Sequence, residues 1–237
     1  MKPSPAASPR APVDPRPDRK QAILLAAEKL FARHGYHAVT IRGIADEAKV
    51  PLALVGYYYG QKHELFHAIF EHWSPTIDER LAALRQIDAG AGGRQALVRI
   101  IEAFTGPVIR LRASAEGEYY ALLVARELYH PNEETDRVLR SYFDPLARAF
   151  IDALQKALPH ASRGDIAWCY QFSLGALLHH LSDNRVERLS NGQCRAGDPD
   201  AAHRLVAFIV GGIRAALPGP AVARRTRSPR PSRHAKD

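Results

Sequence analysis

Phe31-Ala-Arg-His-Gly35-Tyr-His-Ala-Val-Thr40-Ile-Arg-Gly-Ile44-Ala-Asp-Glu-Ala-Lys-Val50-Pro-Leu-Ala-Leu-Val-Gly-Tyr57-Tyr-Tyr-Gly-Gln-Lys62-His-Glu-Leu65-Phe is the stretch whose reading decides the fold. Ile23, Ala27, Leu30 and Phe31 lead into it at helical spacing, and Gly35 follows where a left-handed residue would stop a helix. Thr40 sits where a second helix needs an N-cap, with Val39 before it and Ile44 four residues after it, the placement of a hydrophobic staple. That helix runs to about Ala48. Lys49 and Val50 form a turn into Pro51, which suits the first position of a third helix because its missing N–H would be unpaired there anyway. The third helix is predicted over Leu52–Tyr59, and a fourth opens at Lys62. Two helices of this length joined by a turn of this size form the geometry that lays the second helix in a DNA major groove.

Read as a unit, these positions carry a family resemblance. The Phe-x-x-x-Gly-Tyr ending of helix one, the Thr40 cap, Ile44-Ala-x-x-Ala48, the run Tyr57-Tyr58-Tyr59 and Gly60-x-Lys62-x-Glu64-Leu65 resemble the N-terminal DNA-binding domain of TetR/AcrR-type transcriptional regulators. The resemblance covers about a quarter of the chain. It implies contacts to DNA from Thr40, Arg42, Lys49, Pro51, Leu52, Ala53, Gly56, Tyr57, Tyr58 and Lys62. Thr40, Arg42 and Lys62 are the backbone-contact candidates: a hydroxyl at one helix N-terminus, a cation on helix two and a cation opening helix four. Tyr57 or Tyr58 would meet a phosphate or a thymine methyl, and Tyr59 is expected in the core with Leu54 and Val55. The recognition helix has no Arg, Asn or Gln for a bidentate base contact, so its direct readout is thin and specificity falls to shape and apolar contact. Two departures stand out. The family usually has Gly where this chain has Lys49, and often Ser or Thr where it has Pro51, which cannot offer a hydroxyl to a phosphate. A non-Gly residue in a turn requiring positive φ costs on the order of 1 kcal/mol.

The net charge of +8 and pI near 9.7 suggest a polyanionic partner, and the position of the charge matters more than its total. Residues 1–20 carry five Lys/Arg against two Asp and residues 218–237 six against one, so residues 21–217 hold 22 of each sign. Basic composition therefore supports DNA binding through the arm ahead of helix one, where Arg16, Arg19 and Lys20 are within reach of phosphates or a neighbouring groove. A solvated tail that aids solubility is the alternative for that arm. Both tails are rich in Pro, Ala and Ser, a composition of disordered segments. The N-terminus lacks the apolar region of a secretory signal, and no apolar run approaches the roughly 18 residues of a membrane span. No membrane partner and a cytoplasmic location are expected. Cys169 and Cys194 have no metal-ligand spacing and are expected as reduced thiols.

Beyond Trp73 the pattern stays helical to Leu217, with no alternating strand-like runs. The fold class is all-α: an N-terminal three-helix helix-turn-helix domain (18–66) followed by a helical ligand-binding and dimerisation domain (67–217), between a basic arm (1–17) and a basic tail (218–237). Helices are predicted over about 62–86, 94–113, 118–130, 133–158, 163–182 and 200–217, with a mobile polar connector at 183–198. The last two are apolar nearly all round. In 163–182, Ile166, Tyr170, Leu174, Leu177 and Leu181 form one stripe, and Cys169, Ser173, Ala176 and His180 a smaller second one. In 200–217, Val206, Ile209 and Ile213 oppose Leu205, Phe208, Gly212 and Ala215. Such helices suit an isologous four-helix interface, so a homodimer is expected that reads a near-palindromic double-stranded operator.

The order of segments resembles the C-terminal domain of the same family. At a looser level, the stretches around Arg126–Tyr129 and Trp168–His180 resemble a subgroup that includes fatty-acid-responsive PsrA-type regulators. Phe104, Val108, Arg110, Leu111, Tyr119, Leu122, Leu123, Arg126, Phe143 and Phe172 are the expected lining of an effector pocket. An elongated apolar ligand with one anionic end, a fatty acid or acyl-CoA, fits such a lining, with Arg126 pairing with the head. The implied function is a DNA-binding regulator, a repressor released from its operator by a small hydrophobic or amphipathic effector, with no catalytic residues, metal or cofactor.

His63-Glu64-Leu65-Phe66-His67 is nevertheless a literal H-E-x-x-H match, and two imidazoles four apart on a helix can bind zinc with Glu64 as base. A zinc-dependent enzyme or a metal sensor is one alternative, and a non-specific DNA-coating protein another. The surroundings weigh against zinc, because the motif opens a connecting helix and position 70 is Phe where the longer motif requires Gly.

Overall fold

The structure is a computed structural model that describes residues 19–89, 93–115, 117–129 and 132–217. The arm at 1–17 and the tail at 218–237 lie outside the described residues. Among those described, every regular element is helical, and no helix is long and apolar enough to cross a membrane.

The chain forms two compact units. The first joins residues 19–75 to 114–142. Its first helix, α1 (Arg19–His34), buries Ile23, Leu24, Ala27 and Phe31 and stops at Gly35, whose N–H donates to the Phe31 carbonyl at 2.8 Å. Gly35 has φ +81°, a conformation that L side chains rarely adopt, and a Cβ there would lie 2.9 Å from the Arg126 guanidinium, which would have to shift. Thr40 caps α2 (Ile41–Ala48), its Oγ1 accepting from the Gly43 N–H at 3.1 Å, while Val39 and Ile44 are buried at the staple positions. Lys49 closes α2 in the left-handed region, at φ 55° and ψ 43°. Its N–H bonds to the Asp46 carbonyl and that of Val50 to the Ala45 carbonyl, the two bonds of a Schellman ending.

Pro51, expected as the first helical residue, is instead the extended residue ahead of α3 (Leu52–Tyr59), at φ −57° and ψ 137°. Its carbonyl accepts from the Leu54 N–H, and its ring φ serves the entry into the helix. Gly60 then turns the chain at φ 68° into α4 (Lys62–His72). Phe31, Val55, Leu65, Phe66 and Ile69 fill the core, with the Phe66 ring edge-on to Phe31 at 5.3 Å and to Phe70 at 5.1 Å.

The single helix predicted from Lys62 to about Gln86 is two. It breaks at Trp73, and α5 (Ser74–Arg85) follows. Pro75 accounts for the break, since it has no N–H for the Glu71 carbonyl and restrains Ser74. Later in the chain, α7 (Glu118–Tyr129) and α8 (Glu133–Val138) return to the first unit, although the linear division at residues 66/67 assigned them to the second domain. Glu127, buried on α7, accepts from Asn132 at 3.1 Å and from Thr135, which fastens α8 to α7.

The second unit runs from Thr76 through α6 (Gly93–Ala113) and, after Phe143, to the end of the described chain. The helix predicted over 133–158 is split into α8, a π-helical turn (Leu139–Phe143) and α9 (Asp144–Ala157). Pro145 is the cause, because a regular ladder would drive its ring into the Ser141 carbonyl, and the wider turn avoids that clash. Next come α10 (Arg163–Ser182), α11 (Arg185–Leu189) and α12 (Ala202–Ala216). The expected connector at 183–198 thus holds a helix of its own, with Glu187 accepting from the Ala196 N–H at 3.0 Å. The Phe104 ring stands edge-on to Phe150 at 5.3 Å and to Tyr170 at 5.4 Å at the centre of this unit.

One stripe assignment is corrected. Cys169 and Ser173 are buried with Ile166, Leu177 and Leu181, and Ser173 Oγ donates to the Cys169 carbonyl at 2.7 Å. The outer face of α10 carries Trp168, Phe172, Gly175 and His179 instead. On α12 Val206, Ile209 and Ile213 are buried and Phe208, Gly212 and Ala215 exposed, as expected, while Leu205 of the outer stripe is half-buried.

Candidate nucleic-acid interface

Val55 is fully buried and anchors α3 to the core, which turns the opposite side of that short helix outward. Leu52, Ala53, Gly56 and Tyr57 are exposed on it, together with Thr40, Arg42, Lys49 and Pro51 from α2 and the turn. Tyr57 is 80% exposed and Leu52 45%, values far from those of side chains recruited to a core. Tyr58 is half-buried, its ring edge-on to Tyr57 at 5.1 Å. The surface so formed offers two phenol hydroxyls and an apolar patch, flanked by the cations of Arg42 and Lys49. The chemistry of such a surface is that of hydroxyl and cation contact to phosphates and of apolar contact to methyl groups.

Lys62 is only partly available. Its ammonium stands 4.5 Å over the Tyr36 ring and donates to the His37 carbonyl at 3.5 Å, and burial pulls its pKa down. Tyr59, expected in the core, is half-buried and donates its hydroxyl to the Lys20 carbonyl at 2.9 Å. That bond brings the start of α1, with exposed Arg19 and Lys20, to the end of the recognition helix.

Two residues of the zinc-like motif, Glu64 and His67, have other partners. Glu64 accepts from the Gln61 N–H at 2.6 Å as the α4 cap, and a Cβ on Gly60 would fall 2.2 Å from Glu64 Oε2. His67 Nε2 lies 3.3 Å from Glu134. Among the described residues no group of three or more His, Cys, Asp or Glu side chains is placed to hold a metal ion.

The residues expected around an effector are divided. Tyr119, Leu122, Leu123 and Arg126 are on α7 in the first unit, where the Tyr119 hydroxyl accepts from Arg33 at 2.9 Å and Arg126 lies against Gly35. Phe104, Val108, Arg110, Leu111, Phe143 and Phe172 belong to the second. Phe104 and Leu123 are buried, Arg110 is exposed and paired with Glu79 at 2.6 Å, and Phe172 is 67% exposed and stacked on Trp168. In the second unit an open cavity of about 770 Å³ at the meeting of α10, α11 and α12 is lined by none of them.

Two buried charged groups escaped the sequence reading. Arg80, 7% exposed, holds its guanidinium 5.1 Å over the Phe104 ring and 5.6 Å over Phe150. Its signal was the Ile77, Arg80, Leu84 spacing, which sets it on a buried stripe. Glu28, 1% exposed, accepts from the Trp73 indole at 2.7 Å, and burial pushes its pKa up to about 7. Leu24, Glu28 and Phe31 give the corresponding signal on α1.

Residues 23–69 match the family model described as bacterial regulatory proteins, tetR family, and residues 102–212 match tetracyclin repressor-like, C-terminal domain. The HTH-type transcriptional activator FasR of Mycolicibacterium smegmatis is 32% identical over 91 residues, which are 38% of this chain and 40% of that protein. The HTH-type transcriptional regulator HbdR of an Aromatoleum species is 35% identical over 71 residues, 30% of each chain. The chain thus matches less than half the length of these curated relatives. Among solved structures, the fatty acid degradation regulator FadR from Bacillus halodurans superposes with a TM-score of 0.58 at 16% identity, over 84% of this chain and 98% of that one. That likeness is one of fold. With one model spanning the helix-turn-helix and a second spanning most of the helices behind it, the chain belongs to the tetR family of bacterial regulatory proteins.

Proposed function

We propose that this protein is a homodimeric, DNA-binding transcriptional regulator, a repressor that leaves its operator when a hydrophobic effector binds. The observation that carries the reading is the recognition helix, held by one buried residue, Val55, and presenting Leu52, Ala53, Gly56 and Tyr57 to solvent. Residues 18–66 bind DNA, with Thr40, Arg42, Lys49, Pro51, Tyr58 and Lys62 around that face. Residues 67–217 dimerise and take the effector, while the basic segments 1–17 and 218–237 add phosphate attraction.

Dimerisation is supported by three exposed aromatics, Trp168, Phe172 and Phe208, at 62, 67 and 73% exposure. Phe172 and Phe208 flank a depression of about 200 Å³ floored by small residues including Ala176 and Gly212. Aromatic knobs beside a hollow of small residues suit a two-fold, self-complementary interface.

For the effector, the fatty-acid regulator among the structural neighbours supports an acyl chain with an anionic head. The experiment is a DNA-release titration with fatty acids and acyl-CoAs of increasing length, using a duplex enriched by the protein from a random pool. Release that sharpens with chain length is expected; failure to release at every length rules out this effector class.

A further inference from the structure

The cavity at the meeting of α10, α11 and α12 has no part in the effector set expected from the sequence, and its lining is of two kinds. One wall is apolar, from Val186 and Leu189 of α11 and Leu205 and Phe208 of α12. Val186, Leu189 and Phe208 are 41, 69 and 73% exposed, so three large apolar side chains meet solvent around one hollow. The connector that closes the other side is fixed by its own bonds. Asn191 at φ 54° and Gly192 at φ 79° turn the chain after α11, the Gly192 N–H donates to the Glu187 carbonyl at 2.8 Å, and the Cys194 N–H donates to Ser190 Oγ at 2.9 Å. The hollow is therefore formed in the absence of any occupant.

The second wall is polar and carries Asp183, Arg185, Arg195, Asp198 and Arg204. Asp183 is taken by Arg185, whose Nε donates to it at 2.7 Å, and His179 Nε2 lies 3.5 Å from the same carboxylate. Asp198 accepts the Asp200 N–H at 2.9 Å. Burial pulls the pKa of His180 down against the charge of Asp198, so that ring adds no cation. Among the described residues neither Arg195 nor Arg204 is paired with a carboxylate, and both side chains are exposed. Three arginines against two aspartates leave one positive charge in excess. Beside this cavity, and sharing Ala176 and Phe208 with it, is the depression of about 200 Å³ proposed above for a second copy. That depression has no charged residue in its lining, as suits the core of a protein interface. An apolar wall facing a few charged groups is instead the make-up of a small-molecule site, and about 770 Å³ falls within the roughly 300–1,000 Å³ of such sites.

We propose that this cavity binds an organic monoanion with an apolar body, the body against Val186, Leu189, Leu205 and Phe208 and the anionic group on Arg195 and Arg204. As the effector site of the regulator proposed above it rests on that reading, and binding is therefore measured without DNA, apart from operator release.

The test uses the full-length protein with decanoate and its uncharged counterpart, decan-1-ol, and reads the rate at which iodoacetamide alkylates Cys194 on the cavity wall. The other cysteine, Cys169, is buried, and burial pushes its thiol pKa up, so it reacts more slowly. Decanoate should slow Cys194 saturably, with an affinity at least about tenfold above that of decanol. Arg195→Gln combined with Arg204→Gln should bring decanoate down to the level of decanol, each rate taken relative to the same protein without ligand. Leu189→Asp, at an exposed position, should weaken both ligands. Titration calorimetry of the same proteins supplies the affinities apart from the thiol. In the DNA-release titration the double variant should need at least about tenfold more decanoate than the wild type. Equal affinity for decanoate and decanol overturns the anion site. Decanoate that binds by calorimetry yet leaves the Cys194 rate unchanged is held elsewhere and overturns the assignment, as does the absence of any binding. Alkylation that slows with protein concentration alone means that a second copy fills the cavity, which overturns it too. Equal release of DNA from wild type and double variant overturns the effector role. A pool that yields no enriched duplex overturns the DNA-binding function, and the Cys194 rates then still decide the site.

Discussion

Lys49 and Gly60 stand at either side of the recognition helix, both at positive φ, and only one of them is the residue that such a conformation favours. Lys49→Gly should stabilise the fold by about 1 kcal/mol in urea unfolding, because the left-handed conformation crowds Cβ. Gly60→Ala should destabilise it by about 2 kcal/mol, since a methyl there meets the Glu64 carboxylate as well as an unfavourable backbone. Glu28 gives a pH prediction. Its folded pKa, about 7, lies above the ordinary 4.5, so the folded state binds the extra proton between those values. Stability is then fully present below pH 4.5 and falls as pH rises to about 7, by at most about 3 kcal/mol. Urea midpoints of Glu28→Gln should lack that fall, and equal slopes in the two proteins would contradict it. The caps at Gly35 and Thr40 were legible because turn chemistry is local. Glu28 and Arg80 were not, because a charged residue at a core spacing reads as an interruption of the stripe until its partners are in view.

At the scale of elements, α3 and the opening of α4 make separable contributions. Tyr57 is solvent-facing, so Tyr57→Ala should leave the melting temperature nearly unchanged while weakening binding to the enriched duplex about tenfold. Lys62→Ala should weaken binding to all duplexes alike and lower the salt slope by about 1, and unchanged affinity at every salt concentration would remove its phosphate role. Helices α1 to α3 were legible from period and caps together. The breaks at Trp73 and within 139–143 were not, because Pro75 and Pro145 fall in segments whose apolar period continues on both sides of them. On α10 two stripes fitted the period equally well, and only packing on the neighbouring helices buries Cys169 and Ser173 rather than Trp168 and Phe172. Which side of α3 is exposed was readable from period and turn chemistry, whereas an apolar side chain of the second domain reads alike in sequence whether it fills a core or lines a pocket.

For the whole molecule, the exposed aromatics of α10 and α12 require a partner if the protein works as proposed. Phe208→Asp should weaken self-association by at least about 30-fold in sedimentation equilibrium, since aromatic anchors of an interface are worth about 2 kcal/mol or more. A wild type that sediments as a monomer at micromolar concentration would remove the dimer and the paired recognition helices with it. The most direct measurement of the central claim is selection of duplexes from a random pool by the wild-type protein, with the stoichiometry of the enriched complex determined at physiological salt. The account predicts a near-palindromic sequence bound by two protomers, with half-sites one or a small number of helical turns apart. Retention of DNA without enrichment of any sequence would contradict it.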